Sequence, residues 1–278
     1  MAPGNTNGPV GELEWAKPTH FDGPERSLRW HARRGVLAAT AGERTVLLVL
    51  ATSRYYMLDP VASFLWSRLE SGASRESLAA ALVEQFPVST NMERVRADVA
   101  HVLTSLVQYR AVEAVDEDAA AEDSGRAVRT ADTSRGVDEC RWPDRPPSVL
   151  MCFLAMVYVR VLLRRRGLKP LLRKTYRRRA AVPASLAPSG WLSTVAANVA
   201  KAAAIHPQQT QCLERSMCAV VVLRRAGLDA RLRLGVRVHP FTAHAWAEVA
   251  GLPVSEDPEH LQPYWAFPEL DLRDLEDV

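Results

Sequence analysis

The chain has 278 residues, 47% hydrophobic and 24% charged, with a formal net charge of +3. That is enough apolar material for one large core or two modest ones, and two is the expectation; so mild a charge excludes a global electrostatic case for nucleic acid. Four cysteines without C-x-x-C pairs, a start lacking the charged-then-apolar order of a signal peptide, and no apolar run near the roughly 20 residues a bilayer demands point to a soluble, cytoplasmic protein without membrane contact.

Residues 1–25 carry Gly, Pro and polar residues without period and read as a flexible arm. The stretches 36–40, 45–50 and 54–58 are short β-branched or aromatic runs parted by turn-like residues, a three-stranded meander. Asp59 is placed to cap a helix with Pro60 at its first position, and Val61, Phe64, Leu65 and Leu69 recur at helical spacing up to Gly72. Ser74 opens a second helix bearing Leu78, Leu82, Val83 and Phe86, stopped by Pro87. A third starts near Met92 with Val95, Val99, Val102, Leu103 and Leu106 as its apolar stripe. Three strands and three helices over residues 26–115 make a small winged-helix-like domain of α+β class.

Residues 116–147 pass from an acidic run to a Ser, Gly, Thr and Arg mixture and then Arg-Pro-Pro, a linker. The remainder, 148–278, opens on an apolar segment at 150–163 and a basic run that includes Arg164, Arg165, Arg166, Lys169, Arg173 and Lys174. No Asp or Glu interrupts the chain from Arg145 to Leu213, so this stretch is a candidate docking surface for an anionic partner, or a solvated helix face. An Ala-rich helix follows around 193–204.

At Cys212 the chemistry begins. The apolar helical stretch to Arg225, ended by Gly227, puts this thiol at a helix N-terminus, where the dipole and free N–H groups lower a thiol pKa and can hold an oxyanion. A strand-like run at 231–238 leads to His244-Ala245-Trp246-Ala247-Glu248-Val249, alternating as a strand should, and the acids Glu256 and Asp257 come next. Helix-borne Cys, strand-borne His and a following acid are the order of a transglutaminase-like or papain-like nucleophile, base and orienter. Cys218 belongs to the buried side of the same helix. Zinc is the rival use of such residues, but only His239 and His244 are spaced as a pair, so no metal and no other cofactor is expected.

The stretch Cys-Leu-x-Arg-Ser, then Gly235-Val236-Arg237, then His-Ala-Trp-x-Glu-x-x-Gly-x-Pro-Val resembles the transglutaminase-like leader peptidases of lasso-peptide biosynthesis, the B proteins, over residues 148–265. The resemblance implies a cysteine hydrolase with Cys212 as nucleophile, His244 as base and an acid at Glu256 or Asp257, where the family has Asp after its Pro-Val element. The N-terminal pattern, with Arg54-Tyr55-Tyr56-Met57-Leu58-Asp59 and Phe64-Leu65-Trp66, resembles leader-recognition domains related to the peptide chaperone of pyrroloquinoline quinone synthesis. It implies that the leader of a ribosomally made precursor adds as a strand to the third strand of the meander and packs on the third helix, with Tyr55, Tyr56, Val99 and Val102 as groove candidates. It also implies an ATP-dependent macrolactam cyclase as the partner that receives the freed core. Two other functions compete. An acyl transferase would use the same Cys-His pair, and a nucleic-acid-binding winged-helix protein would use the third helix, although Glu93, Arg94, Arg96 and Asp98 mix signs there.

Overall fold

The computed structural model describes residues 28–86, 91–116, 145–177, 190–270 and 272–275; the expected arm at 1–25 and nearly all of the expected linker lie outside them. The meander forms as β2 (Val36–Ala41), β3 (Arg44–Val49) and β4 (Arg54–Met57), in the order β2-β3-β4 with β4 at an edge. Asp59 accepts from Ala62 N at 2.7 Å to start α1 (Pro60–Leu69), and Ser74 accepts from Ser77 N at 3.2 Å to start α2 (Arg75–Gln85). Asn91 caps α3 (Met92–Gln108).

The plan of three strands and three helices needs one correction. A further strand, β1 (Leu28–Ala32), pairs with β6 (Val112–Asp116) on one side and β5 (Ala73–Ser74) on the other, a second small sheet. Its partner in the register Trp30↔Ala114 is far along the chain, so no local turn signal announces it. Asp116, assigned to the linker, is the last residue of a strand.

The second half begins with α4 (Val149–Arg166), capped by Ser148, and α5 (Leu168–Tyr176). After α6 (Trp191–Ile205) and α7 (Cys212–Arg225) comes a sheet in the order β10-β7-β8-β9, from β7 (Ala230–Arg237), β8 (Thr242–Val249), β9 (Leu252–Pro253) and β10 (Trp265–Ala266). The short α8 (Pro258–Leu261) precedes β10. Gly227, at φ +89°, ends α7 where a side chain would be strained, and Leu228 N bonds Leu223 O at 3.1 Å across the turn. Among the described residues no helix is long and apolar enough to cross a membrane.

Strand β3 explains how the halves meet. Val46, Leu47, Leu48 and Val49 are all buried, which an ordinary one-faced sheet would not allow. Leu47 and Val49 face a core with α1, α2 and α3, while Val46 and Leu48, with Leu37, Ala39 and Leu50, face the core of α4, α6, α7 and β7. The meander is therefore a wall shared by two cores, and each buried Leu in it contributes roughly 1.5–3 kcal/mol from lost water contact.

Candidate active site

Helix α7 starts at Cys212 because three groups hold its first turn. Gln211 N donates to the Glu214 carboxylate at 3.2 Å, and Arg160 of α4 pairs with the same carboxylate at 3.4 Å, both side chains nearly buried. Arg160 also reaches Gln209 O at 3.5 Å. One turn on, buried Ser216 donates to Ala245 O at 2.8 Å, tying α7 to β8. These ties bring the thiol to His244, which sits on β8 opposite Gly235 of β7. Arg160, Glu214 and Ser216 were not expected from the sequence; the only trace was the Gln-x-x-Glu spacing of a capping box around Cys212.

Burial pushes the Cys212 thiol up. A hydrogen bond with His244, donors from the Ala245 and Leu213 backbone and the imidazole's charge outweigh it, so the net pKa lies below the ordinary thiol value. His244 moves the other way. The bond to Cys212 raises its pKa, burial opposes, and the charges of Cys212 and Glu256 add to the rise against Arg215. Opposite shifts of this kind favour a thiolate–imidazolium pair.

Of the two candidate acids, the structure brings one to the imidazole. Glu256 Oε1 lies 3.6 Å from His244 Nε2, a charge contact longer than a hydrogen bond, on the same ring that bonds Cys212. Asp257 instead accepts from Glu259 N at 3.0 Å and caps α8, so it is the positioning of the loop that occupies it. The His244 ring lies between Trp246, at 6.2 Å, and Tyr264, at 5.2 Å. Trp246 Nε1 donates to Glu248 at 2.7 Å, and Arg233 pairs with the same carboxylate.

Gly235 makes room for this stack. A Cβ there would meet Trp246 at 3.0 Å and Tyr264 at 3.2 Å. Gly235→Ala is expected to cost about 1–3 kcal/mol of stability by overpacking and to lower turnover by tilting His244; thermal denaturation beside a rate measurement at saturating substrate checks both.

The two other cysteines among the described residues, Cys152 and Cys218, are both buried. Cys218 donates to Cys152 O at 3.2 Å, and burial pushes Cys152 up to about 11 and Cys218 higher still. Both serve packing, as expected of Cys218. Among the described residues no group of three or more His, Cys, Asp or Glu side chains could hold a metal.

The four groove candidates separate. Tyr56 stacks on Tyr109 of the recognition half at 4.1 Å, with Val102 partly buried against the same core. Val99 is fully buried and fills that core, so it offers no surface to an added strand. Tyr55 faces the other way. Its ring meets Phe241, in the loop before β8, at 6.0 Å and Phe267 at 6.1 Å. Burial, and then the charge of Cys212, push its phenol up to about 12. Tyr55 thus belongs to the Cys212 side of the wall and Tyr56 to the α3 side, as alternation along a strand requires.

Residues 155–267 match the family model of the transglutaminase-like superfamily, and residues 44–112 match that of coenzyme PQQ synthesis protein D (PqqD). Among solved structures, one described as TbiB1 in complex with the TbiA(beta) leader peptide is 30% identical, with a TM-score of 0.28; the match covers 30% of this chain and 94% of that one. No curated protein matches. With the matched regions in this order on one chain and Cys212 and His244 paired inside the second, the chain belongs to the lasso-type B proteins in fused form, a PqqD-type domain followed by a transglutaminase-like domain.

Proposed function

We propose that the protein binds the leader of a ribosomally made lasso-peptide precursor on its N-terminal half, residues 26–115, and severs the leader from the core with its C-terminal half, residues 148–278. One observation carries this reading: the edge strand β4 carries Tyr56 toward the recognition core and Tyr55 toward Phe241, Phe267 and Cys212. A leader added along that edge would present its end beside the thiol at high effective concentration. The thiolate of Cys212 attacks the scissile carbonyl, and the oxyanion faces the N–H groups at the start of α7. His244 gives its proton to the leaving amine of the core, and the acyl-enzyme is then hydrolysed by water that His244 deprotonates, with Glu256 holding the imidazole.

The freed core would pass to an ATP-dependent macrolactam cyclase in the same cytoplasmic compartment. The outer face of α4 offers a surface for it, since Leu150, Leu154, Val157 and Val161 are exposed at helical spacing and lead into Arg164, Arg165 and Arg166.

The test is to incubate the full chain with the precursor encoded beside its gene and to weigh the products. Hydrolysis yields a leader ending in a free carboxylic acid together with the intact core. A leader joined to an added amine, with no free acid, would instead establish the acyl-transferase reading.

A further inference from the structure

A cleft of about 470 Å³ opens where the two halves meet, lined by Ala41, Gly42, Glu43 and Arg44 from the β2–β3 turn, Pro60, Arg237, Val238 and His239 from the end of β7, and Trp265. It contains neither Cys212 nor His244, yet it is adjoined to them ring by ring. Tyr264 lies 5.2 Å from the His244 ring, and the Arg237 guanidinium stands 5.8 Å over Tyr264. The direction is set by the chemistry. His244 protonates the leaving amine in the proposed mechanism, so the part of the substrate following the scissile bond departs from the His244 side of the thiol, the side on which Tyr264 and Arg237 stand.

The lining is cationic and its charges are uncompensated. Among the described residues neither Arg44 nor Arg237 forms an ion pair; Arg44 donates to the Met57 sulfur at 3.8 Å, and Arg237 donates to the Thr242 hydroxyl at 3.4 Å besides standing over the Tyr264 ring. The Arg237 Nε–H is buried without a hydrogen-bond partner, as are those of Arg231 and Arg233, so what sets Arg237 apart is the missing carboxylate. The arginines of the neighbouring strand positions, Arg231 and Arg233, do have their carboxylates, in Asp229, Glu269 and Glu248. Glu43, the one acid in the lining, is paired with neither arginine.

We propose that this cleft is a specificity subsite that takes an acidic side chain of the core, on the leaving-group side of the cut. Arg44 and Arg237 grip its carboxylate, His239 adds a third donor, and the half-exposed Trp265 packs against the adjoining substrate backbone. The inference rests on the leader-peptidase reading. Because Arg44 comes from the recognition half and Arg237 from the peptidase half, the subsite exists only while the halves are docked.

The test crosses protein and substrate. The precursor is assayed as it stands and with each Asp or Glu of its core changed to Asn or Gln, against the native chain and the Arg44→Gln, Arg237→Gln double variant. One acid-to-amide change is expected to lower kcat/KM about tenfold with the native chain and less than twofold with the double variant. Equal losses with both proteins, or no loss with either, would overturn the subsite while leaving the peptidase intact. A precursor that the native chain does not cut would sink the peptidase reading first and the subsite with it. A second readout avoids turnover: on the Cys212→Ala chain, calorimetry should find the free core bound about tenfold more tightly than its amide form, and equal affinities would reject the subsite. Arg44→Gln alone separates charge from support, since Arg44 does not touch Tyr264.

Discussion

Cys212→Ala is expected to bind the leader with a Kd within about twofold of the native value and to lower kcat/KM for precursor cleavage by roughly 10⁴-fold or more, the scale on which a lost nucleophile acts. Removing the sulfur ends acyl transfer outright, because the nearby groups on α7 cannot replace it: Cys218 is buried against Cys152, and the Ser216 hydroxyl is committed to Ala245. Leader binding should survive because the backbone edge of β4 offers the same hydrogen bonds whatever stands at position 212, and the Tyr56–Tyr109 stack lies on the other side of the wall from the thiol. Mass spectrometry of the precursor and fluorescence anisotropy of a labelled leader report the two quantities separately. Cleavage persisting at more than about one per cent of the native rate would mean that Cys212 is not the nucleophile.

Glu256→Gln should narrow the pH profile from its alkaline side. In the proposed mechanism the active pair is thiolate with imidazolium, so activity should rise as the pH climbs through the depressed pKa of Cys212 and fall as it climbs through the elevated pKa of His244. The charge of Glu256 is one of the causes of that elevation. Without it the His244 pKa drops, and the alkaline limb moves to lower pH. Each unit of movement costs about tenfold in rate on that limb. The acid limb, governed by Cys212, should stay nearly in place. Asp257→Asn should leave both limbs where they are, because Asn caps α8 about as well as Asp. A pH series of kcat/KM on the three proteins decides the matter: an alkaline shift in Asp257→Asn with none in Glu256→Gln would reverse the assignment of the third residue.

Much of the architecture was legible because it is local. Asp59 with Pro60, Ser74 and the Gly227 turn are signals within a few residues of the helix ends they set, and the structure places them there. Cys212 at a helix start could be foreseen for the same reason. What escaped were pairings across long stretches of chain: β1 with β6, Arg160 with Glu214, and Ser216 with the β8 backbone. Alternation shows that Tyr55 and Tyr56 point to opposite sides, but only the packing of a second core on the meander tells which side is which. The choice between Glu256 and Asp257 turned on a cap, since a four-residue helix was too short to announce itself and Asp257 was its first need.

The meander that divides the two cores also decides what the covalent connection contributes. Leu37, Ala39, Val46, Leu48 and Leu50 would bind the transglutaminase-like half whether or not a peptide bond joined the halves. Proteolysis within residues 117–144 should therefore yield two fragments that elute together and still process precursor, parting only on dilution. The join raises local concentration while the sheet dictates orientation, so a gene fission or fusion at this point would alter dosage dependence while the packing of the meander on both cores stays as it is.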